Sequence, residues 1–304
     1  MEHSNRTGHL LAFATTMVWG TTFVCTKVLL AAFEPIEILF FRFMLGGIAL
    51  CAAYPKRLRV RDKKKELLFF LAGLCGVTFY FLLENIALTH TLASNVGVII
   101  SVAPFFTALL SRIVFREERL NKRFFVGFLL AIIGISCLSF PGAKVEINPI
   151  GDLLAVGAAF VWACYSILTK KISTYGYKTV QTTRRIFFYG LLGILPILPF
   201  FKFELGLHRF LTPIYTANLL FLGLGASALC YVTWNVAVKV LGAVKTSVYI
   251  YLVPVVTVVT SILILHEKLT IVSLVGTVLT LLGLIVSERR GGNEEKQALR
   301  EMKQ

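Results

Sequence analysis

Residues 8–27, GHLLAFATTMVWGTTFVCTK, return at 151–170 as GDLLAVGAAFVWACYSILTK, 143 positions later and without a gap. Gly8, Leu10, Leu11, Ala12, Val18, Trp19, Thr26 and Lys27 all recur in register. A shared apolar composition would repeat leucine and valine, but not one tryptophan and one Thr-Lys end at the same offset. A chain written twice is expected to fold as two copies of one unit.

The medium of that fold follows from composition. The chain is 57% hydrophobic and only 15% charged, where a soluble domain carries about 25% charged residues. Uncharged runs of about 18 or more residues read as helices crossing a bilayer roughly 30 Å thick. Ten such spans are expected, at 9–29, 35–54, 67–88, 95–115, 124–141, 151–170, 180–201, 215–238, 246–265 and 270–288. The first is too long for the apolar region of a signal peptide and is kept as a span. The net charge of +15 does not point to nucleic acid, because much of it sits in one connection, Lys56 to Lys65. Arg116, Arg119, Lys122, Arg123, Lys170, Lys171, Lys178, Lys239 and Lys245 fall on that same side if the spans alternate, as does the basic tail. The opposite side holds only Lys144, Lys202, Arg209 and Lys268. Basic loops stay inside, so both termini are expected in the cytoplasm of a multi-pass cell (inner or plasma) membrane protein.

The repeat runs past its first helix. Arg42 matches Arg185, and Asn85, Ala87, Ala93, Val98, Pro104, Thr107, Ser111 and Glu117 match Asn235, Ala237, Ala243, Val248, Pro254, Thr257, Ser261 and Glu267. Leu120, Gly127 and Gly134 match Leu269, Gly276 and Gly283 after a one-residue slip. Each unit therefore has five spans: 8–141, then 151–288, followed by a tail at 289–304. Five is odd, so the second unit must enter the bilayer from the other side. The expected class is an all-α polytopic membrane protein of ten transmembrane helices in two inverted five-helix repeats. Inverted repeats are an architecture of secondary transporters, with the substrate site between the halves near the midplane.

Trp19-Gly-x-x-Phe-x-x-x-Lys27, Arg42-Phe43, and the proline helix from Pro104 to Glu117 together resemble an EamA-type member of the drug/metabolite transporter superfamily. The resemblance spans residues 8–288. Ala163, Ser166 and Arg184 depart from the pattern in the second half. The resemblance implies an exporter or exchanger of amino acids or other small metabolites. It also implies a cavity lined by the first, third, fourth, sixth, eighth and ninth helices.

The candidate substrate-binding residues are Trp19, Phe23, Tyr80, Glu84, Asn85, Asn95, Ser101, Trp162, Tyr165, Tyr231, Trp234, Asn235 and Tyr251. Trp19 and Trp162 stand about 16 Å along their helices at 1.5 Å per residue, at mid-bilayer, where an indole N–H needs an internal partner. Glu84 reads either as a proton-coupling carboxylate or amine ligand, or as an interfacial carboxylate near the end of its helix. Arg42 reads as a structural ion pair with Glu84 or Glu37, the alternative being a substrate carboxylate site. Lys27 and Lys170 end their helices and are expected to snorkel to water. Pro104 and Pro254 free backbone carbonyls and are hinge candidates. The six cysteines, in apolar runs without Cys-x-x-Cys spacing, read as small buried hydrophobes.

No phosphate loop, His-Glu-x-x-His or Asp-rich motif is present, so no enzyme chemistry, cofactor or metal is expected. The partners expected are a small-molecule substrate, the lipid bilayer, and protons or a counter-substrate, but no nucleic acid. The chain would act as a monomer or weak homodimer. A secondary transporter exporting amino acids or other small metabolites is the leading reading. An organic-phosphate or nucleotide-sugar exchanger, with several cations on one pocket, is the alternative. A membrane enzyme or non-transporting scaffold is the reading from another class. With no acid–acid pair, a site around Trp19 and Trp162 would suit a neutral, zwitterionic or mildly cationic solute.

Overall fold

A computed structural model of the chain describes residues 2–115, 122–139, 149–268 and 270–288. Glu117, Leu120, Leu269 and the tail lie outside the described residues. Those residues form helices without strands: α1 (Glu2–Leu29), α2 (Pro35–Ala53), α3 (Lys63–His90), α4 (Ala93–Phe115), α5 (Lys122–Ser139), α6 (Pro149–Ser173), α7 (Thr179–Ile194), α8 (Pro213–Leu241), α9 (Ala243–Leu265) and α10 (Ile271–Glu288). Among them α1 to α4, α6, α8 and α9 are long and apolar enough to cross a membrane, and α5 and α10 hold shorter apolar stretches. Leu10, Ile48, Ile113, Leu153, Phe188 and Leu263 are exposed on these rods, as expected where the surroundings are lipid.

Local chemistry sets several boundaries. Pro35 opens α2, where its missing N–H costs nothing, and Glu34 N donates to Glu37 at 2.9 Å. Asp62 caps α3 by accepting from Lys64 N at 2.8 Å. The helix expected at 180–201 stops at Ile194. Pro196 lacks a donor and its ring collides with the preceding turn, so the chain leaves the helix before a short 3-10 turn at Leu198–Phe200. Gly242 joins α8 to α9 at φ 87°, a region that side chains with a Cβ rarely adopt.

Four of the rods are not regular throughout. α3 passes through a π-helical segment at Leu74–Phe79 and α8 through one at Phe221–Leu229. α4 turns at residues 101–102, and α9 is 3-10 at Val248–Leu252. Pro104 and Pro254 each stand second in the α-helix that follows, Ala103–Phe115 and Val253–Thr260. Each helix is therefore interrupted before its proline rather than kinked at it.

α1 to α4 with α6 to α9 make one compact unit, and α5 with α10 another. In the larger unit the pairings come in twos: α1 packs on α8 and α9, and α6 on α3 and α4. Likewise α2 packs on the π segment of α8, and α7 on that of α3. Glycines permit the close crossings. A Cβ at Gly73 would lie 2.7 Å from Gly190 N, and one at Gly223 would lie 2.7 Å from Leu45 Cβ. Small residues at crossings are how helices associate without a hydrophobic drive.

Two expectations need correction. Lys27 does not reach for water; its Nζ is half-buried and donates to Leu88 O and, at 3.0 Å, to Thr91 O, closing the end of α3. Of the six free cysteines only Cys230 is buried; Cys51 is exposed and the other four are intermediate. In a bilayer the apolar side of a helix faces outward as readily as inward, so apolar context did not imply burial.

In the smaller unit, a Cβ on Gly134 would lie 2.4 Å from Thr280 Oγ1, and one on Gly283 2.5 Å from Gly127 O. Gly283→Val should therefore push α5 and α10 apart, at an overpacking cost of about 1–3 kcal/mol. Its thermal unfolding midpoint in detergent should fall by several degrees. An unchanged midpoint would show that the two helices do not meet at these glycines.

Candidate functional site

A π-helical turn leaves backbone carbonyls without their usual partners, and in lipid no water replaces them. In α8 the freed group is Ala226 O, which accepts from Trp19 Nε1 of α1 at 3.0 Å. In α3 it is Gly76 O, which accepts from the Tyr231 hydroxyl of α8. Gly76 is also sterically required, since a Cβ there would lie 2.2 Å from the Tyr165 ring. Trp162, at the position that corresponds to Trp19, finds its carbonyl already taken, and its Nε1 has no hydrogen-bond partner.

These bonds draw the aromatic rings into one cluster. Trp19 meets Trp162 edge-on at 5.1 Å and Trp234 at 4.9 Å between centroids. Tyr80 and Tyr165 each stand 4.9 Å from Trp162. The Tyr165 hydroxyl donates to Asn235 Oδ1 at 3.0 Å, and Asn235 Nδ2 donates to Thr183 Oγ1 at 3.1 Å. Trp234 Nε1 is buried and unpaired as well.

Beside the cluster is a cavity of about 30 Å³ lined by Trp19, Thr22, Phe23, Arg42, Tyr80, Phe81, Glu84, Ile100, Trp162, Ile250 and Val253. That is room for about two waters. Arg42 and Glu84 are each 1% exposed. Arg42 Nε donates to Ser227 Oγ at 3.0 Å, and its guanidinium carbon lies 4.1 Å from the centre of the Phe81 ring. Tyr80, one helical turn before Glu84 on α3, lines the cavity with it. Arg42 Nη1 and Glu84 Oε1 are left without partners. Glu84 is thus an interior residue, and the interfacial reading does not hold. Helix α3 continues six residues beyond it, to His90, and α6 covers it.

Glu37 does not serve Arg42 either. It accepts from Arg209 Nη1 at 2.7 Å and Nη2 at 3.1 Å, from Glu34 N at 2.9 Å and from Glu204 N at 2.8 Å. Arg209 also donates to Ala32 O at 2.8 Å, so this ion pair ties the α1–α2 connection, α2 and the α7–α8 connection. Arg185, which corresponds to Arg42, donates to Glu66 Oε1 at 2.5 Å and to Leu58 O at 2.7 Å. It is committed elsewhere.

Of the residues singled out from sequence, Trp19, Phe23, Tyr80, Glu84 and Trp162 line the cavity with Arg42. Tyr165, Tyr231, Trp234 and Asn235 form the adjoining cluster. Asn85 lies outside the lining and donates to Pro35 O at 2.9 Å, bracing α3 against α2. Asn95 donates to Thr91 Oγ1 at 3.2 Å, Ser101 to Val98 O at 2.5 Å, and Tyr251 is half-buried. Thr22, Phe81, Ile100, Ile250 and Val253 are not anticipated; apolar residues in apolar helices carry no distinguishing signal, and Thr22 is one of several threonines along α1. Among the described residues no group of three His, Cys, Asp or Glu side chains could hold a metal.

A model of the EamA-like transporter family matches residues 6–140 and 149–288. An uncharacterized transporter of Archaeoglobus fulgidus is 28% identical over 93% of this chain and 98% of its own length. An Escherichia coli protein named "probable amino-acid metabolite efflux pump" is 29% identical, covering 93% and 95%. A "probable terminal-alkyne amino-acid exporter" of Streptantibioticus cattleyicolor is 28% identical, covering 93% and 94%. One crystal structure shares the fold with a TM-score of 0.66 at 19% identity, over 92% of this chain and 97% of that one.

The two indole and phenol donors make opposite stability predictions. Tyr231→Phe strands Gly76 O and should cost about 1–3 kcal/mol, visible as a lowered unfolding midpoint. Trp162→Phe removes a donor that has no partner, so its midpoint should not fall. The reverse order would mean that the π-segment carbonyl is satisfied in another way.

Proposed function

We infer the activity from one premise: the chain belongs to the EamA-like transporter family. It is a multi-pass membrane protein of the cell membrane and a transporter rather than an enzyme. We propose that it is a secondary active transporter working by alternating access, and that it exports amino acids or closely related metabolites. The named amino-acid exporters among its relatives support that class. The observation that carries it is the cavity itself. It lies where α1, α2, α3 and α4 meet α6 and α9, and it holds a cation, a carboxylate and an indole N–H with atoms that the fold leaves unmatched.

In this reading residues 8–141 and 151–288 are inverted five-helix repeats, giving ten spans with both termini in the cytoplasm. A 30 Å³ cavity is far below the roughly 300–1,000 Å³ of a ligand pocket, so the walls must part to admit a solute. The interruptions before Pro104 and Pro254 are the hinges, since Ile100, Ile250 and Val253 beside them form part of those walls. Trp19, Phe23, Tyr80, Glu84 and Trp162 contact the solute, with Tyr165, Tyr231, Trp234 and Asn235 shaping the cluster behind them. Protons or a counter-substrate drive the cycle.

An organic-phosphate exchanger would bring several cations to one pocket. Among Lys27, Arg42, Arg185, Lys239 and Lys245 only Arg42 lines the cavity. Lys27 closes α3, Arg185 pairs with Glu66, and Lys239 and Lys245 are exposed. That reading is set aside.

Purified protein in liposomes should release labelled amino acids or related metabolites without ATP. Trp19→Ala should raise the apparent KM or abolish transport, and because it also strands Ala226 O it should lower the unfolding midpoint. Transport unchanged in Trp19→Ala would move the site elsewhere, and no movement of any panel solute would overturn the transport assignment.

A further inference from the structure

Three polar atoms on the cavity residues have no partner: Arg42 Nη1, Trp162 Nε1 and Glu84 Oε1. Buried polar groups are nearly always paired, and one that is not calls for an explanation. Here each belongs to a side chain buried among its neighbours. Ser227 Oγ takes Arg42 Nε at 3.0 Å, and the Phe81 face lies 4.1 Å from the guanidinium carbon. Tyr80 stands one helical turn before Glu84 on α3. Trp162 is packed between Trp19, Tyr80 and Tyr165. The arginine and the carboxylate are thus buried without satisfying each other fully.

The duplication sharpens the point. The counterpart of Arg42 is Arg185, bound to Glu66 and Leu58 O. The counterpart of Trp162 is Trp19, bound to Ala226 O. The counterpart of Glu84 is Trp234. In each pair the fold needs one member, or has no equivalent at all, and the other is left on the cavity.

We propose that these three groups form a cradle for the zwitterionic head of an amino acid. The proposal rests on the transport reading and specifies its ligand. Arg42 Nη1 and Trp162 Nε1 donate to the α-carboxylate, and Glu84 Oε1 accepts from the α-ammonium. The solute's own side chain then lies against Phe23, Ile100, Ile250 and Val253, which selects an uncharged, apolar one. A simple amine would leave Arg42 unmet and a simple carboxylic acid would leave Glu84 unmet, each a buried charge without a partner. A phosphate would face Glu84 with like charge.

The test compares L-leucine, L-methionine and L-phenylalanine with their carboxamides and N-acetyl derivatives as competitors of efflux from proteoliposomes. The unmodified protein should favour each free amino acid over both derivatives by about tenfold or more, the scale of one hydrogen bond to a charged group. Arg42→Gln should remove the preference for acid over amide and keep the preference for free over acetylated amine. Glu84→Gln should do the reverse. Trp162→Phe should raise the apparent KM for the acids about tenfold, spare the amides, and leave the unfolding midpoint no lower. Damage to the fold would not produce that crossed pattern. Equal competition by the derivatives in the unmodified protein overturns the cradle without needing any variant to fold. If other metabolites move but no amino acid does, the cradle is wrong and the transport reading stands. If nothing moves, both fall.

Discussion

Inside a bilayer a peptide carbonyl that loses its helical N–H has no water to turn to. Every irregularity in these helices therefore requires a donor from the protein, and the centre of the molecule is arranged around that requirement. The π segments of α3 and α8 release Gly76 O and Ala226 O, which recruit the Tyr231 hydroxyl and Trp19 Nε1 across the boundary between the sequence halves. The same rule operates at the other breaks. Thr257 Oγ1 stands within donating reach of Gly20 O at 2.7 Å or Val253 O at 2.9 Å, and Ser247 Oγ donates to Val244 O at 2.8 Å. The aromatic cluster, and the cavity beside it, stand where they do because the broken helices need partners there.

Two glutamates show how charge is sorted once it is buried. Glu37 and Glu84 are each 1% exposed, yet only Glu37 is closed, by two guanidinium N–H groups and two backbone amides. Removing one partner of such a set would leave a buried charge uncompensated, which suits a fixed joint between segments. Glu84 and Arg42 keep open valences instead. Burial alone does not distinguish these two carboxylates; the number of satisfied atoms does.

The helices were legible in the sequence because bilayer thickness imposes a length that hydropathy reveals directly. Their interruptions were not, except through Pro104 and Pro254. A glycine such as Gly76 reads in a membrane sequence as an ordinary small residue, and nothing local announces that its carbonyl will be given away. The sequence extends α7 too far because Ile197, Leu198 and Phe200 remain apolar past Pro196, which stops the helix. At the site, Trp19 and Trp162 stood out through their register. Arg42 and Arg185 recur at the same offset, yet their surroundings differ. A duplicated residue shares an origin and an initial geometry, but its neighbours are free to diverge: Glu66 stands beside one arginine, and Phe81, Ser227 and the cavity beside the other.

The chain contains three tryptophans, and all of them sit in the one cluster, with centroid separations of 4.9 to 6.1 Å. The ultraviolet emission of this protein consequently has a single address. Rings so close exchange excitation, and one indole N–H is bonded to a peptide carbonyl while the other two are bare. A solute entering the cavity, or helices sliding apart beside it, would alter all three emitters together, with no distant tryptophan to dilute the change. The unlabelled protein thus carries its own optical gauge of the site.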